Sequence, residues 1–134
     1  RDDVIDICLL GLQVPFNMID ANDPKMKQTA ATIDRLCRSK IIGGIERFPG
    51  DIYISGDPWI ISTLWLAIYY IRINKQLEAK KLFKWVVDHA TDLDLLAEQI
   101  DKITGRPAWV LPLTWSHAMF ILTVLEMKEN GIEL

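Results

Sequence analysis

The fold class of this chain is decided by DPWIISTLWLAIYYIRI, residues 57–73. From Trp59 to Ile73 every face of a helix would be apolar, apart from Ser62, Thr63 and Arg72. A helix that is apolar all round is normally buried on all sides. Asp57 followed by Pro58 is typical of an N-cap and a first helical position, and is expected to cap this helix. The stretch therefore predicts an inner helix.

Two segments with one apolar side flank this inner helix in the sequence. Asp23 is expected to cap the first, with Pro24 at its first helical position. Its apolar residues recur at helical spacing: Met26, Ala30, Ile33 and Leu36 or Cys37. The segment from Leu77 to Ala90 is one-sided in the same way. Both segments are predicted to be outer helices.

The remaining segments complete an all-α pattern in which inner and outer helices alternate. Asp2 to Leu12 predicts a short helix buried on both faces, and Thr114 to Lys128 predicts a largely apolar helix. Between Ile45 and Gly56 the mixture of Gly, Pro, charged and aromatic residues is typical of a structured loop, where function tends to lie. The piece around Glu98 is expected to be short and extended.

Composition restricts the class of partner. The 134 residues are half apolar and carry 15 basic and 18 acidic side chains, a net charge of −3, without a basic run. Nucleic acid is therefore excluded as a partner. The uncharged, mainly apolar run 58–71 is shorter than the roughly 20 apolar residues of a membrane span, so no membrane span is predicted.

The two cysteines and two histidines give no pattern of a metal or redox site. Cys8 and Cys37 are isolated and are expected to be buried free thiols. His89 and His117 lie far apart in the sequence, without acidic or cysteine partners at metal-ligand spacing. His117 is expected to bond the backbone. The cellular compartment stays open, with the cytoplasm favoured.

A carboxylate and an indole lie at adjacent ends of apolar segments in the last third of the chain. Glu98 belongs to LLAEQ, residues 95–99, and Trp115 belongs to LTWSHA, residues 113–118. A carboxylate can bond sugar hydroxyls or take a proton from water, and a flat aromatic ring can cover the apolar face of a pyranose. The pair indicates a carbohydrate site without identifying the reaction.

These segments, taken in order with others, resemble the C-terminal part of glucoamylase-type glycoside hydrolases, family 15. The resemblance covers nearly the whole chain and rests on the following motifs: DICLL (6–10), Asp23-Pro24, GGIERFPGDIY (43–53), GDPW (56–59), LLAEQ and LTWSHA. It implies that residues 1–134 are the C-terminal portion of an (α/α)6 toroid of helical hairpins, one catalytic domain that is incomplete in this chain. The activity implied is inverting exo-hydrolysis of α-glucosidic bonds, without a metal or organic cofactor.

The resemblance also assigns roles to single residues. Glu98 matches the family's general base, and Gln99 matches a neighbour that bonds the carboxylate or a substrate hydroxyl. Arg47 matches an arginine that bonds the sugar. Trp115 matches a tryptophan of the pocket wall. In the same loop as Arg47, Asp51 is expected to hold the arginine in place rather than touch substrate, and Tyr53 is expected to do either.

Each assignment has an ordinary structural alternative. Glu98 by itself would be a solvated surface residue, and Trp115 a core tryptophan. Arg47 would form a salt bridge with Glu46, Asp51 or Asp57. Trp59 and Trp65 are assigned mainly to packing.

Two departures from the family pattern are visible. Phe48 stands where a tyrosine is usual, and Asp57 stands where an asparagine precedes the Pro-Trp pair. Neither change removes a catalytic group, but the first leaves the substrate preference open. The expected substrate is an oligosaccharide or a small α-glucoside.

The family's general acid lies upstream of the region that this chain matches. The chain begins at Arg1 rather than Met and is expected to be a piece of a longer polypeptide, whose upstream part is its partner. Alone it is expected to be inactive. The alternatives are a trehalase or α-1,6-glucan hydrolase of the same family, a non-catalytic regulatory subunit that keeps the toroid, or a helical interaction module.

Overall fold

Four α-helices account for most of the regular structure in the computed structural model, which describes residues 4–133. Their bounds are α1 Pro24–Cys37, α2 Ile60–Arg72, α3 Gln76–Asp88 and α4 Thr114–Glu129. Two 3-10 helices, Ile7–Leu12 and Tyr53–Gly56, and two short strands, β1 Gln99–Ile100 and β2 Pro107–Ala108, complete the described elements. The all-α prediction is confirmed. No helix in this part of the chain has the length and apolar character to cross a bilayer.

Helix α2 is the inner helix that its sequence predicts. Every residue from Ile60 to Ile71 is buried, including Ser62 and Thr63. The predicted cap at Asp57 is wrong, because the helix begins at Ile60 with Trp59 as its N-cap and without a side-chain cap. The N–H of Ile60 instead donates to the carbonyl of Glu98 (3.1 Å). The start of the inner helix is thus joined to the segment that carries the candidate base.

The carboxylate of Asp57 has a different partner. It is buried, and one of its oxygens accepts a hydrogen bond from the N–H of Lys102 (3.2 Å). Asp57 therefore joins the loop before α2 to the turn that follows β1, rather than satisfying the first turn of its own helix.

Helices α1 and α3 are amphipathic, as predicted for outer helices. Asp23 caps α1 by accepting from the N–H groups of Lys25 (2.8 Å) and Met26 (3.3 Å), and Pro24 is the first helical residue. Helix α3 follows α2 after a short connection, and the two form a helical hairpin. Each outer helix buries four residues: Met26, Ala30, Ile33 and Cys37 on α1, and Ala79, Leu82, Phe83 and Val86 on α3.

The N-terminal helix differs from its prediction. Residues 1–3 lie outside the described part, and the helix is a 3-10 helix that begins at Ile7, where the Asp6 carboxylate accepts from the N–H of Cys8 (2.7 Å). Ile7 and Leu10 are buried, but Leu9 is exposed, so the helix is buried on one side only. Cys8 is exposed and does not match its prediction, whereas Cys37 is buried and burial raises the pKa of its thiol to about 11.

Extended backbone segments lie side by side where the loops meet the start of α2. Antiparallel bridges pair Arg38 with Ile45, Ile45 with Trp59, and Trp59 with Gln99, and β1 then pairs Gln99 with Ala108. The N–H of Trp59 donates to the carbonyl of Ile45 (2.9 Å). These pairings bring the loop that carries Arg47, the start of α2 and the Glu98 segment together.

Candidate functional site

Glu98 is a buried residue whose carboxylate has no hydrogen-bond partner among residues 4–133. Its backbone is fixed on both sides, because its carbonyl accepts from Ile60 and its N–H donates to the carbonyl of Val110 (2.9 Å). The residue is only 8% exposed, and its carboxylate accepts no hydrogen bond from any group within residues 4–133. Burial raises the pKa of this carboxyl, and the positive charge of Arg47 opposes that rise.

Arg47 is held by Asp51 through two hydrogen bonds. Nε donates to Oδ2 (2.7 Å) and a terminal nitrogen donates to Oδ1 (2.9 Å), a two-point contact that fixes the plane of the guanidinium. The N–H of Tyr53 also donates to Oδ1 (2.9 Å). Burial by itself would raise the pKa of Asp51, but these hydrogen bonds outweigh it and the pKa lies below its usual value. Of the three candidate partners Glu46, Asp51 and Asp57, Asp51 forms the ion pair with Arg47 in the structure.

Aromatic rings surround the same guanidinium. Its central carbon lies 5.0 Å from the ring centroid of Tyr53, 5.1 Å from that of Phe48 and 5.3 Å from that of Trp59. Contacts of this kind favour the cation and limit its movement. Trp59, which was assigned mainly to packing, therefore also contacts the arginine. Arg47 is fixed by a carboxylate and by rings, while part of its side chain stays open to solvent.

The turn after Tyr53 has an unusual backbone. Ile54 (φ 46°), Ser55 (φ 65°) and Gly56 (φ 64°) all adopt positive φ, which is unfavourable for a β-branched residue. The Lys102 ammonium donates to the carbonyls of Ser55 and Gly56 and so ties the turn to the loop after β1. Sequence patterns did not single out Lys102, because it looks like an ordinary surface lysine.

Gly56 should tolerate no side chain, and this can be measured. A Cβ at Gly56 would lie 2.0 Å from the carbonyl oxygen of Asp51. We expect Gly56→Ala to lower the free energy of unfolding of the full-length polypeptide by about 2–5 kcal/mol in urea denaturation, from the clash and the positive φ together. Gly50→Ala is the matched control, since Gly50 also has positive φ but no atom within 4 Å of its Cβ position. Its cost should be about 1–2 kcal/mol. Equal costs for the two variants would contradict the close approach at Gly56.

The start of α4 is fastened to the Glu98 segment. The Ser116 hydroxyl donates to the carbonyl of Ala97 (2.7 Å), and the N–H of Leu96 donates to Nε2 of His117 (3.0 Å). The expectation that His117 bonds the backbone is confirmed. Trp115 therefore directly precedes Ser116, the residue that bonds the segment carrying Glu98.

Trp115 and Gln99 are arranged differently from the Arg47 group, which consists of Arg47 with Asp51, Tyr53, Phe48 and Trp59 around it. Trp115 is half exposed, and its ring meets that of Trp65 edge to face at 5.9 Å. Gln99 is fully buried, and its amide makes no hydrogen bond with any described residue, so it does not bond the Glu98 carboxylate there. Its donors and acceptor are left unused in this part of the chain. The sugar contacts expected of both residues remain predictions.

The arrangement combines three chemical elements. A carboxylate on a buried residue with a raised pKa can accept a proton from water, a fixed guanidinium can donate to hydroxyls, and several rings can cover an apolar sugar face. Within residues 4–133, no group of three or more His, Cys, Asp or Glu side chains is placed to hold a metal ion.

Relatives with similar sequences carry glycosidase names. The chain is 45% identical over 138 aligned positions to an uncharacterized glycosyl hydrolase of Methanocaldococcus jannaschii, an alignment that covers 93% of this chain and 22% of the relative. It is 29% identical to trehalase 2 of Sulfolobus acidocaldarius, with 95% of this chain and 22% of that protein covered. The chain thus spans about a fifth of the length of these relatives. No family model matches it.

A solved structure shows the same fold. A bacterial glucoamylase complexed with acarbose superposes with a TM-score of 0.80 at 23% identity, over 96% of this chain and 21% of the glucoamylase. At that identity the likeness shows the fold alone, and the shared fold is that of a helical toroid of which this chain spans a part. In its motifs and its fold, the chain therefore resembles part of a glucoamylase-type glycoside hydrolase, as its sequence predicted.

Proposed function

We propose that the polypeptide to which this chain belongs is an inverting exo-hydrolase of α-glucosidic bonds, with Glu98 as its general base. The observation that carries the proposal is Glu98, a buried residue whose carboxylate has no hydrogen-bond donor among residues 4–133 and whose pKa is influenced by the charge of Arg47. A carboxylate in that state can bond and deprotonate a water molecule. An ordinary surface glutamate would be solvated, so its burial supports the assignment.

The other residues position the sugar. Arg47, oriented by Asp51, donates to sugar hydroxyls through the part of its guanidinium that Asp51 does not occupy. Tyr53 and Trp115 are partly exposed and shape the wall of the pocket. The amide of Gln99, unpaired within the described residues, bonds a sugar hydroxyl or a water molecule that enters with it. In this proposal residues 1–134 are one part of a single catalytic domain.

Inversion needs a second carboxyl group, the general acid. In inverting enzymes the two carboxyl groups lie roughly 6.5–9.5 Å apart, so that a water molecule and the sugar fit between them. We propose that the acid is supplied by the upstream part of the same polypeptide. The 134-residue piece by itself would then hold the base without the acid and would not hydrolyse maltose.

Trehalose is the alternative substrate that a specific observation favours. The relative from Sulfolobus acidocaldarius is named a trehalase, and its similarity covers almost the whole chain. Both α-1,4 and α-1,1 linkages present the same glucosyl ring to Glu98, so the base does not separate them. A regulatory subunit that keeps the toroid would have no need for a buried glutamate whose pKa responds to a fixed arginine.

The product anomer tests the proposal. The full-length polypeptide is incubated with maltose, isomaltose and trehalose, and the first glucose released is observed by proton NMR before mutarotation. We expect the attacked glucosyl unit to be released as β-glucose, because water activated by Glu98 attacks the face opposite the leaving group. Trehalose should then give β- and α-glucose in equal amounts, since its leaving glucose keeps the α configuration. Trehalose that gives α-glucose alone, or maltose or isomaltose that gives an excess of α-glucose over the anomer ratio of its own reducing end, would reject inversion. Absence of hydrolysis of all three sugars would favour the regulatory alternative.

A further inference from the structure

A backbone bulge lies directly opposite Glu98. In β1 and β2, Gln99 pairs with Ala108. Regular pairing would place Glu98, which precedes Gln99, opposite Trp109. Instead the N–H of Glu98 donates to the carbonyl of Val110 (2.9 Å). Trp109 and Val110 thus oppose a single residue, which is the arrangement of a β-bulge. Trp109 is the extra residue, and it adopts a φ of 64°.

A tryptophan is an unexpected residue at this position. Positive φ suits glycine, and to a lesser degree asparagine, because other side chains crowd the backbone there. Packing within residues 4–133 does not explain the choice, since Trp109 is 58% exposed there. Its ring contact is with Tyr53, edge to face at 6.1 Å. Bulges beside functional sites often redirect a side chain, and here the bulge directs a large ring toward the Arg47 group.

Exposure increases in steps along this group of residues. Glu98 is 8% exposed, Tyr53 39% and Trp109 58%. An exo-acting enzyme attacks the terminal sugar, so that ring lies beside the buried base. The next ring then lies toward the more exposed end, where the rings of Tyr53 and Trp109 meet.

We propose that Trp109 is a specificity-determining residue that holds the second sugar ring, the one that leaves, against its indole. The inference rests on the proposed function, because it takes Glu98 as the base that defines the position of the first ring. An indole offers a flat apolar surface to the C–H face of a pyranose, and its contact with Tyr53 limits its rotation. The ligand class is therefore a di- or oligosaccharide rather than a glucoside with a small leaving group.

Trp109→Gly in the full-length polypeptide tests the role with two substrates. One is whichever of maltose, isomaltose and trehalose is cleaved fastest, and the other is α-glucosyl fluoride, which has no second ring. With the fluoride, the C1–F bond breaks, water oxygen bonds to C1, its proton passes to Glu98, and fluoride leaves. We expect kcat/KM for the disaccharide to fall at least roughly tenfold, mainly through KM, and that for the fluoride to stay within about twofold.

Two controls separate binding from folding. Glycine suits a φ of 64°, so Trp109→Gly should leave Tm unchanged or raise it. Trp109→Tyr keeps a flat ring and should restore most of the disaccharide activity. An equal loss of kcat/KM on both substrates together with a lower Tm would show that Trp109 stabilises the fold. No loss of kcat/KM on either substrate would show that Trp109 does not contact the second sugar ring. Both outcomes overturn the proposal.

Two variants distinguish failure of the proposed function from failure of the proposed role of Trp109. Glu98→Gln must lose activity on both substrates if Glu98 is the base, whereas Trp109→Gly must lose activity on one only. If Glu98→Gln keeps its activity on the fluoride, the assignment of the base is wrong. If Glu98→Gln loses both activities and Trp109→Gly loses neither, the base stands and the role of Trp109 is rejected.

Discussion

Glu98→Gln is expected to lower kcat of the full-length polypeptide by about three orders of magnitude, within the 10²–10⁴ range of a positioned base. An amide cannot take the proton of the attacking water, although it has nearly the size of the carboxylate. The backbone bonds of this residue to Ile60 and Val110 do not involve the side chain and should persist. Initial rates of glucose release, measured at saturating substrate, give the result.

The Glu98→Gln variant should lose activity without losing stability. Burial raises the pKa of Glu98 in the folded state above its unfolded value. The folded state therefore binds this proton more tightly, and the charged form at neutral pH costs stability that an amide does not. We expect the Tm of Glu98→Gln at pH 7 to equal or exceed that of the wild type. Below the ordinary pKa of glutamate, where the carboxyl is protonated in both states, any gain in Tm should disappear. A variant that loses activity and Tm together would indicate misfolding rather than loss of a base.

The matched control is Glu129→Gln. Glu129 is exposed at the end of α4 and undergoes the same chemical change away from the candidate site. Its kcat should equal that of the wild type. Full activity in Glu98→Gln would place the base on another residue and would reject the proposed role of Glu98.

The inner helix was predictable because its cause is local. An apolar run from Trp59 to Ile73 has no alternative to burial, and the structure buries every residue from Ile60 to Ile71. The cap at Asp57 was not predictable in the same way. Its pattern fits a helix start, but the Asp57 carboxylate accepts from the N–H of Lys102 instead of capping the helix. The N–H of Ile60, in the first turn, donates to the carbonyl of Glu98. The prediction that the N-terminal helix is buried on both faces is wrong because Leu9 and Leu12 stay exposed within the described residues.

The site was predicted through its motifs, and its geometry only in part. The sequence left Glu46, Asp51 and Asp57 open as partners of Arg47, with Asp51 expected to hold it in place, and the structure pairs Arg47 with Asp51. The ring of Trp109 beside Tyr53 depends on a bulge and a positive φ. A glycine at position 109 would have indicated a bulge or a positive φ, but a tryptophan there indicates neither. Backbone conformations that contradict local preference are the part of a site that a single sequence does not reveal.

Arg47→Met is the second substitution with a large expected effect. Methionine keeps an apolar stem against the rings of Tyr53, Phe48 and Trp59 but removes the charge and the hydrogen bonds. The misplaced sugar should lower kcat/KM about a hundredfold. The cation that opposes the raised pKa of Glu98 is also lost, so that pKa should rise further. Because the base works deprotonated, the acidic limb of the kcat/KM profile should move to higher pH.

Arg47→Lys separates the charge from the geometry. Lysine keeps a positive charge near Glu98 but lacks the planar fork that meets both oxygens of Asp51. We expect its acidic limb to stay near that of the wild type while kcat/KM falls, and pH profiles of the three proteins measure both quantities. In Arg47→Met the Asp51 carboxylate, 2% exposed, loses its cation, and the unfolding free energy should fall by about 1–3 kcal/mol. An acidic limb that is the same in all three proteins would mean that Arg47 holds substrate without tuning Glu98, since only the methionine variant removes the charge.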